Sequence, residues 1–463
     1  MVAAITAAAI RYVVMATSLT GSRPLPIHRR VARFFWFGWT FVSIYVGYKR
    51  IQRNQRLTPE ERRRRYSEQH RRSAERVYRL ATRMQGLLIK TCQFISSRAD
   101  VAPPEYVSVL SRLQDRVPPR PYEIIARHIE RELGTPPEEI FAHIERAPIA
   151  AASLAQVHRA VTKAGRQVAV KVQYPGIARV VETDLRNLSI LVWLLARIEP
   201  TFDFRVLLDE VKRYVPRELD FELEGRSAER IAREMAHRKN FRAPEIVWEH
   251  TSRRVLTMEY IDGIKISDVD ALAAAGIDAN EVAQIMMEAY CEQILVNGFF
   301  HADPHPGNLL VLPGPVVVFV DFGLAKELPD DFRVNYARLT LAILSQDDHA
   351  MVEAFRALGF RTRSDNPETL LALGRGFFES AGPEQRPYVD AEVMPEVNER
   401  MARMLAENPV TQIPPDVLLI FRVLGLMSGL QKRLDSRVNM TDTITPYASR
   451  EAAGAGGAAA AGA

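Results

Sequence analysis

Cysteine is close to absent: Cys92 and Cys291 are the only two, too few for a disulfide framework and without the paired Cys/His spacing of a structural zinc site. A reducing compartment is the setting this suits, with any active site in the cytoplasm, on the inner membrane face if the cell is bacterial. No G-x-x-x-x-G-K-[ST] occurs, which excludes a P-loop cradle for phosphates. No internal repeat recurs. The first residues are apolar but interrupted by Arg11, and resemble neither a signal peptide nor a membrane span. The uncharged run from Phe34 to Tyr48 is also too short to cross a bilayer cleanly. As a helix it would measure about 22 Å, against roughly 30 Å of hydrocarbon.

What that run has instead is aromatic residues and cations on both sides. Arg29, Arg30 and Arg33 precede it, and Lys49, Arg50 and Arg53 follow. Residues 23–79 hold 16 Lys/Arg against 4 Asp/Glu, so a net charge of +5 for the chain conceals a strongly basic N-terminal region. Trp and Tyr favour the headgroup zone, and cations near an anionic leaflet contribute about 1 kcal/mol each. Residues 1–57 are therefore expected to be a basic, aromatic-rich leader lying on an anionic membrane as an interfacial or re-entrant anchor; a buried core helix is the alternative. The aromatic neighbours favour lipid over nucleic acid as the partner of the Arg cluster.

Thr58-Pro59-Glu60-Glu61 offers a capping hydroxyl, a Pro at the first helical position and a Glu three residues after the cap, which predicts a helix start. Val77, Leu80, Met84, Leu87, Leu88 and Ile95 keep helical spacing beyond it. Prolines at 103–104 and 118–119 break the pattern, Pro121 to Leu133 reads as another short helix, and the stretch to 146 is expected to be all-helical. From Pro148 the texture changes. Gln156 to Val161 and Gln167 to Val172 read as strands around a Lys163-Ala164-Gly165-Arg166 turn. Helices are expected over 179–200 and 206–238, strands over Ile246 to Glu249 and Arg254 to Tyr260, and a hairpin from Leu309 to Val320 around Pro313-Gly314. The Ala/Gly-only end is expected to be flexible.

His301-Ala302-Asp303-Pro304-His305-Pro306-Gly307-Asn308 places an Asp and an Asn five residues apart, and Asp321-Phe322-Gly323 follows a β-branched run. Two oxygen donors from separate loops suit Mg²⁺, which keeps waters and takes few protein ligands. Asn308 and Asp321 are the candidate metal ligands. Asp303 is then the candidate to orient or deprotonate the acceptor, while His301 and His305 read as scaffold, a metal-ligand role staying open. Lys171, in Val168-Ala169-Val170-Lys171, should share a strand face with Ala169 and reach ATP phosphates. Glu224 is the chosen partner for its ammonium, among Glu218, Asp220, Glu222 and Glu224. An ordinary acidic helix surface is the plainer alternative for those four.

These motifs resemble the UbiB/AarF family of atypical protein-kinase-like proteins over roughly residues 84–436. The resemblance rests on Lys90-Thr91-Cys92-Gln93 with Ser97, Asp100 and Pro103; on Leu113-Gln114-Asp115 and Pro118-Pro119; on Ala150 to His158; and on Glu218-Leu219-Asp220-Phe221 with the two loops above. It implies an α+β, two-lobed kinase-like fold. A helical Lys-x-Gly-Gln-type extension (58–146) would pack over the active site of an N-lobe (147–262) and a C-lobe (263–436), ahead of a tail (437–463). It also implies an ATP and Mg²⁺ site in which Ala150, Ala151, Ala152 and Ser153 replace a Gly-rich loop, with Lys90, Gln93, Glu218, Asp220 and Glu259 among the nucleotide contacts. ATP hydrolysis is then favoured over protein phosphorylation, in the service of ubiquinone or other isoprenoid lipids and the enzymes that handle them. A small-molecule or lipid kinase and a nucleotide-gated lipid-binding chaperone are the alternatives. Cys92 stands where the family has Gly, and Gly225 where it has Ala. Only Leu324 to Leu328 separate Gly323 from the next helix signal, Pro329-Asp330-Asp331, which leaves no room for a long activation segment.

Overall fold

The computed structural model describes residues 26–460 apart from 85, 97–101, 114–118, 199–204, 365, 383 and parts of 389–406. Readings made above for residues 1–25, Ser97, Asp100, Gln114, Asp115, Pro118 and 461–463 lie outside the described residues, as does the side chain of Gln93. The chain forms two compact units, residues 1–223 with 246–260 and residues 224–245 with 261–463.

The first unit begins with helix α1 (Ile27–Arg53), which extends the aromatic run at both ends to 27 residues. α2 (Pro59–Met84) starts on the expected capping box. The Glu61 amide donates to Thr58 Oγ1 at 3.2 Å, and the Thr58 amide donates back to Glu61 Oε2 at 3.0 Å. Its apolar pattern continues into α3 (Leu87–Ser96), but as a separate helix. Gly86 breaks the two at φ +65°, where an added Cβ would meet Val180 at 3.2 Å. With α4 (Pro104–Leu110), these helices close a core of Phe37, Leu80, Ala81, Leu88, Ile89, Cys92 and Leu110.

α5 (Tyr122–Leu133) ends at Gly134, φ +77°, and a single turn, α6 (Pro137–Ile140), leads into strand β1 (Phe141–Ile144). The stretch to 146 is thus not all-helical: Phe141 is buried and β1 pairs with β3. β2 (Ala150–Ala151), β3 (Ala155–Thr162) and β4 (Gln167–Gln173) follow, the last two joined by the expected turn. α7 (Ile177–Ile198) is next. The predicted helix over 206–238 is interrupted, because Pro216 ends α8 (Arg205–Tyr214), and a 3₁₀ turn at Arg217–Leu219 precedes α9 (Phe221–Glu234). From Glu224, within α9, the chain belongs to the second unit, where it supplies β5 (Phe241–Arg242), and it returns at Ile246 for β6 (Val255–Glu259). Trp248–His250 is a 3₁₀ turn rather than part of a strand. The sheet runs β1-β3-β4-β6, with β2 on β3. Val168, Val170 and Val172 fill one side and Ala169, Phe221, Leu256 and Met258 the other. The Gln156 side chain accepts from the Arg120 amide at 2.8 Å and donates to its carbonyl at 3.2 Å, seating the segment before α5 on β3 as an extra strand would.

α1 is neither a wholly buried core helix nor a free anchor. Phe37 and Ile51 are buried, whereas Phe35, Trp36, Trp39, Val42 and Val46 are exposed, Trp39 by 73%. Among the described residues no helix is long and apolar enough to cross a membrane. Arg33 ties α1 down: its guanidinium pairs with both carboxylate oxygens of Asp184 on α7, one at 2.7 Å, and donates to the Met84 carbonyl at 3.0 Å.

The second unit holds a sheet ordered β5-β10-β9-β7, with β7 (Ile264–Lys265) and the expected hairpin of β9 (Leu309–Leu312) and β10 (Val316–Phe319), and a β8–β11 pair. α10 (Val269–Ala274) and α11 (Ala279–Cys291) lead to a π-helical turn at Glu292–Asn297, then β8 (Phe299–His301). β11 (Ala325–Glu327), α12 (Asp330–Leu344), α13 (Asp348–Leu358), β12 (Arg361–Thr362), α14 (Glu368–Ser380), β13 (Val410–Gln412), α15 (Pro415–Arg433) and α16 (Met440–Ala460) complete it. The expected flexible tail is corrected for its first part, which is helical and anchored as far as Glu451. Alanine is the best helix former, and α16 is fixed by Glu451, which accepts from Arg333 at 2.8 Å, and by Tyr447, which accepts from Arg238.

Burial lifts the Asp184 carboxyl to about 6, with Arg33 opposing the rise. A carboxyl whose folded value lies above its ordinary one takes up a proton on folding as pH falls through that value, and the stability gained is lost as pH rises through it. Arg33→Met leaves a buried charge unpaired and should cost about 3–5 kcal/mol near neutral pH. Without Arg33 the Asp184 value rises further, so the gap from wild type should narrow as pH falls towards about 6 and stay at its smallest below it, where the carboxyl is protonated in both proteins. Urea melts of both proteins at two pH values check this.

Candidate active site

In the second unit, His301 is fully buried at the end of β8. Its amide donates to Gln293 Oε1 at 3.0 Å, its Nδ1 lies 3.0 Å from the Tyr290 hydroxyl, and its ring packs on Phe319 and Phe322. Desolvation lowers its pKa, so the ring stays neutral and serves as scaffold. The loop after it is closed by its own backbone. The His305 amide bonds the Asp303 carbonyl at 2.6 Å, the Asn308 amide bonds the His305 carbonyl at 2.8 Å, and His305 Nδ1 accepts from the Gly307 amide at 3.1 Å. His305 is therefore the cap of a 3₁₀ turn.

The Asp-Phe-Gly segment is bound to this loop on both flanks. The Val320 amide donates to the Asn308 carbonyl at 3.0 Å, and the Ala302 amide to the Leu324 carbonyl at 2.8 Å. β8 and β11 then pair, His301 opposite Ala325. The structure thus brings Asp303, Asn308 and Asp321 together. Asn308 Nδ2 donates to the Asp303 carbonyl at 3.4 Å, which fixes the amide plane, and Asp321 Oδ1 accepts from the Gly323 amide at 3.1 Å. One carboxylate and one amide oxygen form a hard, two-ligand donor set that fits Mg²⁺, an ion that otherwise keeps waters and phosphate oxygens. No group of three or more His, Cys, Asp or Glu suited to a metal occurs among the described residues. Glu224 is buried in this unit too, accepting from the Phe322 amide at 3.3 Å.

In the first unit, Lys171 lies on β4 opposite Leu256, and its Nζ sits 5.2 Å from the centre of the Phe221 ring. Ala169 belongs to the same cluster as Phe221, so the two share the face that alternation predicted. Lys90 and Glu218 meet at 2.9 Å, joining α3 to the 3₁₀ turn before α9. Asp220 is engaged locally: it accepts from the Leu223 amide at 3.2 Å, capping α9, and pairs with Arg253 at 3.2 Å. Glu218 and Glu222 do not share a helix, because α9 begins only at Phe221. Ala150 and Ala151 pair with Val157 and Gln156, the Ala152 amide closes the hairpin on the Ala155 carbonyl at 2.8 Å, and Ser153 is buried. Glu259 ends β6 opposite Val168. Gln93 lies on α3. Cys92 points into the helical core, where burial pushes its thiol up to about 12, so the thiol in place of Gly is accommodated by packing.

Three residues escaped the sequence reading. Phe221 under Lys171 read only as part of a motif. Arg253 carried no signal. Arg422, whose guanidinium donates to Asp303 Oδ1 at 2.8 Å, is a single cation in an otherwise apolar stretch of α15, a signal that was there to be read.

A strand lysine beside an alanine-rich hairpin in one unit, and in the other a catalytic loop zipped to an Asp-Phe-Gly segment, define a kinase-like protein. A family model described as the ABC1 atypical kinase-like domain matches residues 112–355. AarF domain-containing protein kinase 1 of Gallus gallus is 34% identical over 385 residues, which cover 82% of this chain and 74% of the relative. The chloroplastic ACTIVITY OF BC1 COMPLEX KINASE 8 of Arabidopsis thaliana is 31% identical over 399 residues, 79% of this chain and 52% of the relative. A Mycobacterium tuberculosis protein solved with erythromycin shares the fold, with TM-score 0.58, 22% identity, and coverage of 80% of this chain and 94% of its own. The chain belongs to the UbiB/AarF family of atypical kinases.

Removing the α9 cap by Asp220→Ala should cost about 1 kcal/mol of stability. The half-exposed Arg253 pair should add little. Chemical denaturation of the two proteins measures the loss.

Proposed function

We propose that the chain is a membrane-associated, Mg-ATP-dependent atypical kinase or ATPase that supports ubiquinone or other isoprenoid-lipid metabolism. The observation that carries the reading is the backbone pairing of the two acidic loops, which supports Asn308 and Asp321 as metal ligands with Asp303 on the same loop as Asn308. Bound Mg²⁺ would supply charge neutralisation at the phosphates. Asp303 orients the acceptor and accepts its proton, Lys171 steadies the phosphates, and Glu224 holds the Phe322 amide and so the Asp-Phe-Gly backbone. Lys90, Gln93, Glu218 and Glu259 complete the nucleotide contacts. Hydrolysis is favoured over protein phosphorylation because only residues 324–329 separate Gly323 from α12, too few for the segment on which kinases dock a peptide.

The exposed aromatic stripe of α1 supports the lipid half of the reading. Phe35, Trp39, Val42 and Val46 recur at helical spacing on the open face, with exposed Arg29, Arg50 and Arg53 at its ends. That is the make-up of an interfacial helix on an anionic leaflet. The partners are then ATP and ADP, an anionic membrane surface, isoprenoid-type lipids and the enzymes that process them.

Phosphate release by the purified chain, with and without anionic liposomes, tests both halves. Asp321→Asn and Asp303→Asn should each lower turnover at least about 100-fold, and liposomes should raise the wild-type rate. Phospholipid product in place of free phosphate would make the chain a lipid kinase. Full biological function in Asp321→Asn would make it a nucleotide-gated chaperone. Phe35→Ala with Trp39→Ala should weaken vesicle flotation on the order of tenfold and leave lipid-free hydrolysis unchanged.

A further inference from the structure

The catalytic loop carries no fixed cation. Between His301 and Asn308 the residues are Ala, Asp, Pro, His, Pro and Gly. Phosphoryl transfer develops negative charge at the transferred group, and enzymes of this class meet it with an arginine or lysine supplied in cis or in trans. Here the guanidinium at the catalytic carboxylate comes from far along the chain. Arg422 is 7% exposed and Asp303 18%, with Nη2 to Oδ1 at 2.8 Å. The helix that brings it is seated by a second ion pair. Asp416 in the first turn of α15 meets Lys326 of β11 at 2.7 Å, so one helix grips both the catalytic loop and the strand that follows the Asp-Phe-Gly segment.

A buried ion pair is a poor device for stability, since removing two charges from water costs about what their attraction returns. Its better-attested use is to fix geometry. The rest of α15 in this region is ordinary core, with Val417, Leu419, Ile420 and Val423 all buried, so packing of this stretch does not by itself call for a cation at 422. Guanidinium stays charged at every working pH and donates along fixed directions. We infer that Arg422 is a positioning residue of the phosphoryl-transfer site, holding one oxygen of Asp303 so that the carboxylate meets its acceptor in one orientation. The inference rests on the ATP-hydrolysing reading above.

The test uses the full chain and the variants Arg422→Gln, Arg422→Lys, Asp303→Asn and Asp303→Asn/Arg422→Gln. Three quantities are read: the affinity for a fluorescent ATP analogue, the kcat and KM of ATP hydrolysis, and the melting temperature without nucleotide. Arg422→Gln should lower kcat about 10- to 100-fold while KM and analogue affinity stay within about twofold, because the residue acts on the carboxylate and not on the nucleotide. Arg422→Lys should recover part of the loss. The double variant should be no slower than Asp303→Asn alone. In the nucleotide-free melt, Arg422→Gln should fall by about 5 °C and the double variant should regain most of it, since no charge is then left buried alone. Should Arg422→Gln fail to fold, the lysine and double variants carry the same comparison. Wild-type kcat in Arg422→Gln, an additive loss in the double variant, or uncoupled melting temperatures would overturn the role of Arg422 alone. Absence of hydrolysis by the wild-type chain would overturn the proposed activity and this inference together.

Discussion

Two loops that each carry a carboxylate repel one another, and here backbone hydrogen bonds hold them together. The bonds from Val320 to Asn308 and from Ala302 to Leu324 flank Asp321 on either side, and neither uses a side chain that the chemistry needs. The Leu328 amide adds a third bond, to the Gly298 carbonyl at 2.7 Å, beyond the last residue of β11. His301 fills the space behind, neutral because burial disfavours its charged form. The donor set proposed for a divalent cation is thus held by backbone hydrogen bonds rather than by the donor side chains, an arrangement in keeping with the preorganisation that electrostatic catalysis requires.

The π-helical turn at Glu292–Asn297 belongs to the same construction. π segments carry an extra residue per turn and recur at functional sites. Here the turn delivers Gln293 to the His301 amide and ends at Gly298, φ +66°, where the chain reverses into β8. Arg333 reinforces the exit: it donates to the Val296 carbonyl at 2.9 Å and pairs with Glu451 of α16. The C-terminal helix is therefore fastened to the segment that launches the catalytic loop.

Much of this was legible in the residues. The capping box at Thr58, the strands on either side of Lys163-Ala164-Gly165-Arg166 and the β9–β10 hairpin follow from local chemistry, and local chemistry is what a linear reading can weigh. The errors sit where a single residue or a distant partner decides. Gly86 and Pro216 each cut one expected helix into two, Phe141 turned a helical stretch into an edge strand once β3 was there to pair with it, and α16 is ordered because Arg238 and Arg333 reach it from elsewhere. That the loops of Asp303, Asn308 and Asp321 would lie together was readable from the spacing of the three residues. Arg422 stood out as a lone cation in an apolar stretch, but its partner did not, since 119 residues separate it from Asp303.

The brevity of β11 limits what can be modified there. From Leu324 to Leu328 the chain reads Leu-Ala-Lys-Glu-Leu, without a serine, threonine or tyrosine, so this stretch offers no hydroxyl to which a modifying enzyme could add phosphate. Both its ends are also already hydrogen-bonded, to Ala302 and to Gly298. A phosphorylation switch placed within Leu324 to Leu328 would therefore have no side chain to act on.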